Sequence, residues 1–456
     1  MAGQLRCLVT GATGYVGARL VPSLLDHGHH VRALARDPSK LADVPWRGQV
    51  ELARGDLADV DSLVDAFAGM DVVYYLVHSM GTSKNFADEE QRSVRNVVTA
   101  ARRTGVRRVV YLGGLHPEDG ALSPHLESRK AVGEALIDSG IDTVVLQAGV
   151  VIGSGSASFE MIRHLTDRLP VMTTPKWVHN RIQPIAARDV LYYLVAAATA
   201  PIPSSRCWDI GGPDVLEYGD MMRVYAEVAG LRRRYLIVLP FLTPTIASLW
   251  IGTVTPIPPG LARPLIESLE CDAVKGNSDI DTIIQRPPGG LIPYRRAVAL
   301  ALHRAAPGLP DASWASSRSN PAESLPSDPD WAGEIVYTEV RTATTTAGPE
   351  EVWTAAENAV HSRARWTVAE RQPGTALRLR SRMRARGTAW VEMTVTPRDG
   401  GGSRYTQRAF FVPAGLWGRL YWLVAQPLHA VALAALARNV IGAGARRRTS
   451  VVIPAP

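Results

Sequence analysis

The chain has 456 residues, 46% of them hydrophobic and 20% charged, with a formal net charge of +7. That length carries two domains with sizeable cores. The surplus arginines sit in local runs at residues 232–234, 378–386 and 446–448 with no interleaved aromatics, which excludes a recognisable nucleic-acid module and leaves solvated or membrane-facing surfaces. Three distant cysteines, Cys7, Cys207 and Cys271, with no C-x-x-C pair and no signal peptide, predict a reducing, cytoplasmic setting, with membrane association in view.

A β-branched strand opens the chain and runs into Gly11, Gly14 and Gly17, spaced G-x-x-G-x-x-G; a helical pattern follows at once. This is the opening of a dinucleotide-binding βαβ unit. The first glycine permits a tight turn, the second lets a pyrophosphate near the backbone, and the third lets the helix pack close to the strand. Thr13, Tyr15 and Val16 line the same turn. The helix N-terminus then offers free N–H groups and a positive dipole end to phosphates.

Residues 30–36 read as the second strand, ending in Ala35 and Arg36 with no acid at its last positions. An arginine there suits a 2′-phosphate, so NADP(H) is favoured over NAD(H). Lys40 is placed to help. The competing reading has Arg36 merely exposed and Asp37 on the ribose. Strands follow at 50–54, 71–77, 108–112 and 143–146, with helices at 86–105 and 125–139. This alternation predicts an α/β fold, a Rossmann-type doubly wound parallel sheet. Ligands bind at the carboxyl ends of such strands. The candidate cofactor residues are therefore the glycine loop, Arg36, Asp56, Leu57, Val77, His78, Ser79, Gly113 and Val150.

Beyond 153 a smaller substrate lobe is expected, with helices at 154–168, 187–200 and 218–229 and a strand at 207–210. Residues 235–262 carry no charge, but five prolines break any spanning helix. A buried apolar lobe, or a surface for membrane or a hydrophobic substrate, is the better reading. The expected organisation is 1–304 for the dinucleotide-binding domain and lobe, 305–330 for a linker, 331–445 for a C-terminal α+β domain, and 446–456 for a basic tail. In the C-terminal domain, strands are predicted at 334–344, 376–383, 387–397 and 405–412, with a helix opening at 349. A long apolar helix spans 416–439. Its uncharged stretch of 18 residues is of borderline length for a membrane anchor, and a helix laid across an antiparallel sheet is preferred.

The run Thr10-Gly11-Ala12-Thr13-Gly14-Tyr15-Val16-Gly17 resembles the opening of the atypical short-chain dehydrogenase/reductase superfamily. Residues 33–38, 55–57, 74–80 and 139–150 resemble its NmrA-like NAD(P)H-binding branch, which includes an accessory subunit of respiratory complex I. Residues 153–161 and 210–214 are similar to bacterial members fused to a C-terminal domain of unknown function with a helix-grip, START-like outline, and 415–422 resembles that domain. The resemblance implies a Tyr-x-x-x-Lys pair with a serine, the tyrosine protonating the carbonyl oxygen as hydride arrives. Lys130 stands at the lysine position and implies a ribose contact, with Arg129 beside it as the alternative. Leu126 stands where the tyrosine belongs, and Gly113-Gly114 where the serine belongs.

His78, His116 and His125 lie near strand ends and are candidate acids. No metal-ligand spacing and no Gly-x-Ser-x-Gly elbow is present. The leading expectation is an oxidoreductase passing hydride from NADP(H) to a hydrophobic acceptor, a quinone or an enone. The alternatives are a non-catalytic NADP(H) sensor or structural protein, and a carrier of lipid or another hydrophobic ligand.

Overall fold

The computed structural model describes residues 3–77, 86–117, 122–239, 255–302, 325, 328–329, 331–332, 337–361, 366–383, 387–398, 401–413 and 415–447. The chain divides into two compact units, Met1–Gly333 and Glu334–Pro456.

The N-terminal unit is built on a seven-stranded sheet of β1 (Arg6–Thr10), β2 (His30–Ala35), β3 (Glu51–Arg54), β4 (Val72–Tyr75), β5 (Arg108–Gly114), β6 (Asp142–Ala148) and β7 (Arg206–Ile210). All neighbours are parallel, in the order β7-β6-β5-β4-β1-β2-β3. Side chains alternate between two covered faces, which is why these strands read as continuous apolar runs. Cys7, Val9, Tyr74, Val110 and Leu146 bury against α1 (Tyr15–Asp26) and a helix at Ala187–Ala197. Leu8, Val73, Tyr75, Val109 and Val145 turn the other way, onto α2 (Val60–Phe67), α3 (Phe86–Thr104) and α4 (Pro124–Ile137). Connections leave β1 in one direction and β4 in the other, so the crevice between their carboxyl ends is the topological switch point.

The lobe has its own core, with Phe159, Ile162, Trp177, Tyr218, Met222 and Tyr225 fully or nearly buried. The expected helix from 154 begins later, in α5 (Ala157–Arg168), because Gly155 sits at φ +93° and holds the turn before it open. Of the uncharged stretch, Tyr235–Val238 is a strand, Ile257 and Ala262 are buried in the lobe core, and 240–254 lie outside the described residues.

The expected linker does not end as a solvated spacer. Asp328 grips Arg19 of α1 with two hydrogen bonds of 2.8 Å, both side chains under 5% exposed, and its carboxylate also accepts from the Leu325 N–H. Trp331 packs on the lobe core and its carbonyl faces His164 Nε2 at 2.9 Å. The start of the second unit therefore moves from the expected 331 to 334.

The C-terminal unit is an α+β region. Its antiparallel sheet contains β8 (Tyr337–Thr345), β9 (Thr367–Gln372), β10 (Ala376–Met383), β11 (Gly387–Pro397) and β12 (Ser403–Pro413), ordered β8-β12-β11-β10-β9. One face carries Leu377, Leu379, Val391, Met393 and Tyr405 into a core shared with α6 (Pro349–His361) and α7 (Gly415–Arg447).

Replacing Asp328 with alanine strips a buried guanidinium of its carboxylate. The expected cost is about 3–5 kcal/mol, read as a lowered denaturant midpoint of the N-terminal unit. An unchanged midpoint would show that the 325–332 segment holds nothing together.

Candidate functional site

The glycine loop follows β1 directly. Gly11 sits at φ +68°, and a Cβ there would also stand 3.0 Å from the Leu76 carbonyl. At Gly17 a Cβ would fall 2.2 Å from the Gly11 carbonyl oxygen, so any side chain would push α1 off the loop. Gly14 is exposed and caps α1 without a side-chain hydrogen bond, and the first turn carries no acid. The opening N–H groups of α1 thus face outward at the switch point, a cradle matched to a pyrophosphate. Thr10, fully buried, ties the two crevice walls together: its hydroxyl donates to the Tyr74 carbonyl at 3.0 Å and accepts from the Leu76 N–H at 3.1 Å. Val77 packs against the outer side of Gly11. His78 and Ser79 lie outside the described residues.

Arg36 is exposed immediately beyond the end of β2. Its neighbour Asp37 caps a short 3₁₀ turn, accepting from the Ser39 N–H at 3.0 Å and the Ser39 hydroxyl at 2.7 Å. Those two bonds hold its carboxyl below the usual aspartate range. Asp37 is thus committed locally, whereas Arg36 has no hydrogen-bond or ion-pair partner among the described residues. Arg54 ends β3 in register with Ala35, and its charge, with that of Lys40, acts on Asp37; sequence reasoning missed it, since only the strand pairing brings it there. Asp56 turns its carboxylate onto the Ala58 N–H at 3.0 Å, and the Leu57 carbonyl accepts from Asn96 at 2.8 Å, so this turn is anchored by its own bonds.

Tyr15 does not line an open pocket with its hydroxyl. The hydroxyl is buried beside Gly153, where a Cβ would collide with it at 2.1 Å, and burial raises its pKa. Arg19 lies over the ring, 4.2 Å from its centre. Val150 is buried and its carbonyl accepts from the Ile185 N–H at 3.0 Å, which joins the sheet to the lobe.

At the end of β5 the contact is apolar. A Cβ on Gly114 would stand 2.8 Å from Leu126 Cδ2, so a serine there would collide with the leucine that holds the tyrosine's place. Gly113 backs onto Tyr111. Lys130, expected at the ribose, stands on α4. Its side chain is about half exposed and pairs loosely with Glu134 at 3.9 Å, because it leaves α4 on the solvent side. Arg129 takes the inward position. Its Nη1 lies 3.8 Å from where a Gly114 Cβ would be, and its buried Nε has no hydrogen-bond partner among the described residues. Burial lowers its pKa, against the pull of Tyr111 and Glu90. Glu90 in turn accepts a short hydrogen bond from the Ser128 hydroxyl.

His116 is half-buried, with Nδ1 3.0 Å from the Pro117 carbonyl and Nε2 3.2 Å from the Gln147 amide nitrogen. Both ring nitrogens are engaged, Nδ1 as donor and Nε2 as acceptor, on the assignment that satisfies both contacts. His125 is buried, and burial followed by the nearby Arg129 pushes its pKa down to about 3, so it holds no proton to give at neutral pH.

With this geometry in view, residues 11–164 match a family described as NAD(P)H-binding. The N-terminal unit has a Rossmann-like fold, a parallel seven-stranded sheet flanked by helices. Residues 360–435 match a family described as a protein of unknown function (DUF2867), which replaces the START-like assignment expected for the C-terminal unit. A 3β-hydroxysteroid dehydrogenase/Δ5→4-isomerase from Mycobacterium tuberculosis is 39% identical over 116 residues, 23% of this chain and 30% of that protein. The chain thus spans less than a third of that relative's length. The N-terminal unit also superposes on a Citrobacter triphenylmethane reductase complexed with NADP(H), with TM-score 0.51, 21% identity, and 65% and 100% of the two chains covered. For an Escherichia coli NADPH-dependent quinone oxidoreductase complexed with NADPH, TM-score is 0.52, identity 17% and coverage 64% and 98%. These likenesses carry the fold.

His125 also sets a pH dependence. Folded protein keeps the ring neutral, while the unfolded chain takes up a proton below its ordinary value of 6.5. Stability therefore falls as pH drops from about 6.5 toward 3, by up to ~1.4 kcal/mol per pH unit. His125→Leu is expected to flatten this slope in urea midpoints measured across that range; an unaltered slope would assign it to other groups.

Proposed function

We propose that the chain is an NADPH-dependent reductase of hydrophobic conjugated acceptors, quinones or enones. The observation that carries this reading is the buried Arg129 guanidinium, turned toward Gly114 at the end of β5 where Leu126 has displaced the usual proton donor. Gly11, Gly14, Gly17 and the start of α1 hold the pyrophosphate, and Arg36 with Arg54 and Lys40 hold the 2′-phosphate. When bound, the nicotinamide supplies a hydride. Leu126 packed on Gly114 gives the acceptor an apolar floor. Arg129 stabilises the negative charge that develops on a quinone or enone oxygen, and the resulting anion takes its proton from water. A simple ketone yields an alkoxide far too basic for that route, so the missing tyrosine selects conjugated acceptors. The steroid named for the Mycobacterium relative is likewise an apolar substrate.

Arg129→Leu is expected to lower kcat/KM for quinone or enone reduction by about 100–1,000-fold with the NADPH dissociation constant unchanged, the range for losing one preorganised charge-stabilising donor. Tight NADPH binding with no oxidation across a quinone and enone panel would overturn the reductase reading. That outcome belongs to a second reading, an NADP(H) sensor, which the apolar Gly114–Leu126 contact also favours. For the cofactor itself, calorimetry with Arg36→Ala is expected to weaken NADPH by roughly 10–100-fold and leave NADH unmoved, as one charge-assisted phosphate contact is lost. Equal losses for both nucleotides would place Arg36 off the 2′-phosphate.

A further inference from the structure

Helix α7 of the C-terminal unit is divided along its length. Its second half is a core element: Leu436, Ala437 and Val440 are buried with Trp353, Val391 and Tyr405. Its first half is pinned to the sheet by aromatic stacking on one side only. Trp422 lies 5.2 Å from Phe411 and 5.1 Å from Tyr337, centre to centre, and the Tyr421 hydroxyl meets His429 Nε2 at 2.7 Å. The opposite side carries Trp417, Leu420, Leu423, Val424, Leu428 and Val431, all between 43% and 79% exposed. Their spacing of three and four residues lines them up as one stripe.

The charge pattern around the stripe is one-sided. Over 33 residues α7 contains no aspartate or glutamate, and its charged residues are Arg419, Arg438, Arg446 and Arg447. Arg438 is exposed seven residues after Val431, so it continues the same face and ends the stripe with a positive charge. Trp417, at the other end, is an amphipathic ring of the kind enriched at membrane–water boundaries. An apolar face with a tryptophan at one end, a basic end at the other and no acid is complementary to an anionic lipid surface. A second copy of this helix would bring more arginines and no carboxylate to meet them.

By length and hydropathy, Trp417–Gly442 is also able to cross a bilayer, with mean hydropathy 1.5 over its best window. The packing argues otherwise. The exposed stripe from 417 to 431 is about 21 Å long at 1.5 Å per residue, short of the roughly 30 Å hydrocarbon core. Crossing would also pull Leu436, Ala437 and Val440 out of the domain core. We propose that α7 docks the protein onto anionic membranes as an interfacial helix, with its Trp417–Val431 stripe in the headgroup–acyl boundary and its second half still folded on the sheet.

The test is co-sedimentation of the full chain with vesicles of phosphatidylcholine alone or mixed with phosphatidylglycerol. Binding is expected to the mixed vesicles, weakened by salt, and released by alkaline carbonate. Val424→Glu combined with Leu428→Glu is expected to abolish it without moving the thermal midpoint, because both side chains face outward. Arg438→Gln, which leaves the stripe whole, is expected to weaken binding about fivefold on mixed vesicles and not on neutral ones. Undiminished binding of the double variant would overturn the proposal. Resistance to carbonate would assign a spanning anchor instead. Wild type that ignores vesicles but forms a dimer, dissociated by the double variant in ultracentrifugation, would assign the stripe to a second copy.

Discussion

The N-terminal unit depends on one close approach. Helix α1 can reach the end of β1 only because Gly17 presents no side chain to the Gly11 carbonyl, where a Cβ would be 2.2 Å away. That contact aims the first turn of α1 at the switch point between β1 and β4, and the Thr10 hydroxyl keeps the two strand ends at a fixed separation. A side chain at either glycine would tilt the helix and spread its N–H groups away from a common focus. The phosphate cradle is therefore a property of backbone packing, not of any charged side chain.

The end of β5 follows a different logic. Leu126 fills the space a Gly114 side chain would need. The contact forms a packed apolar wall. Against that wall it is the Arg129 side chain that turns inward and the Lys130 side chain that turns outward, because residues adjacent on a helix point about 100° apart.

Much of the scaffold was legible in the sequence. The parallel strands are buried on both faces, so their apolar runs stood out, and the glycine spacing together with the flanking strand and helix marked the loop. Edges and charged contacts were not legible. Strand β9, Thr-Val-Ala-Glu-Arg-Gln, was missed because every residue in it is exposed and it carries no alternating apolar signal. Asp328 looked like linker composition, yet it is buried against Arg19, which precedes it by more than 300 residues. Arg54 gained its place near Asp37 only through the β2–β3 register.

The sequence by itself determined the local events: where strands turn into helices, which turn must be glycine, and that Arg36 falls at the end of β2. Each of these is set by neighbours a few residues apart. The tertiary structure alone decided which of two adjacent cations faces the crevice, which histidine is buried beyond protonation, and which side of α7 is left bare. Those outcomes depend on what packs against each face, and burial is decided by partners far away in the chain.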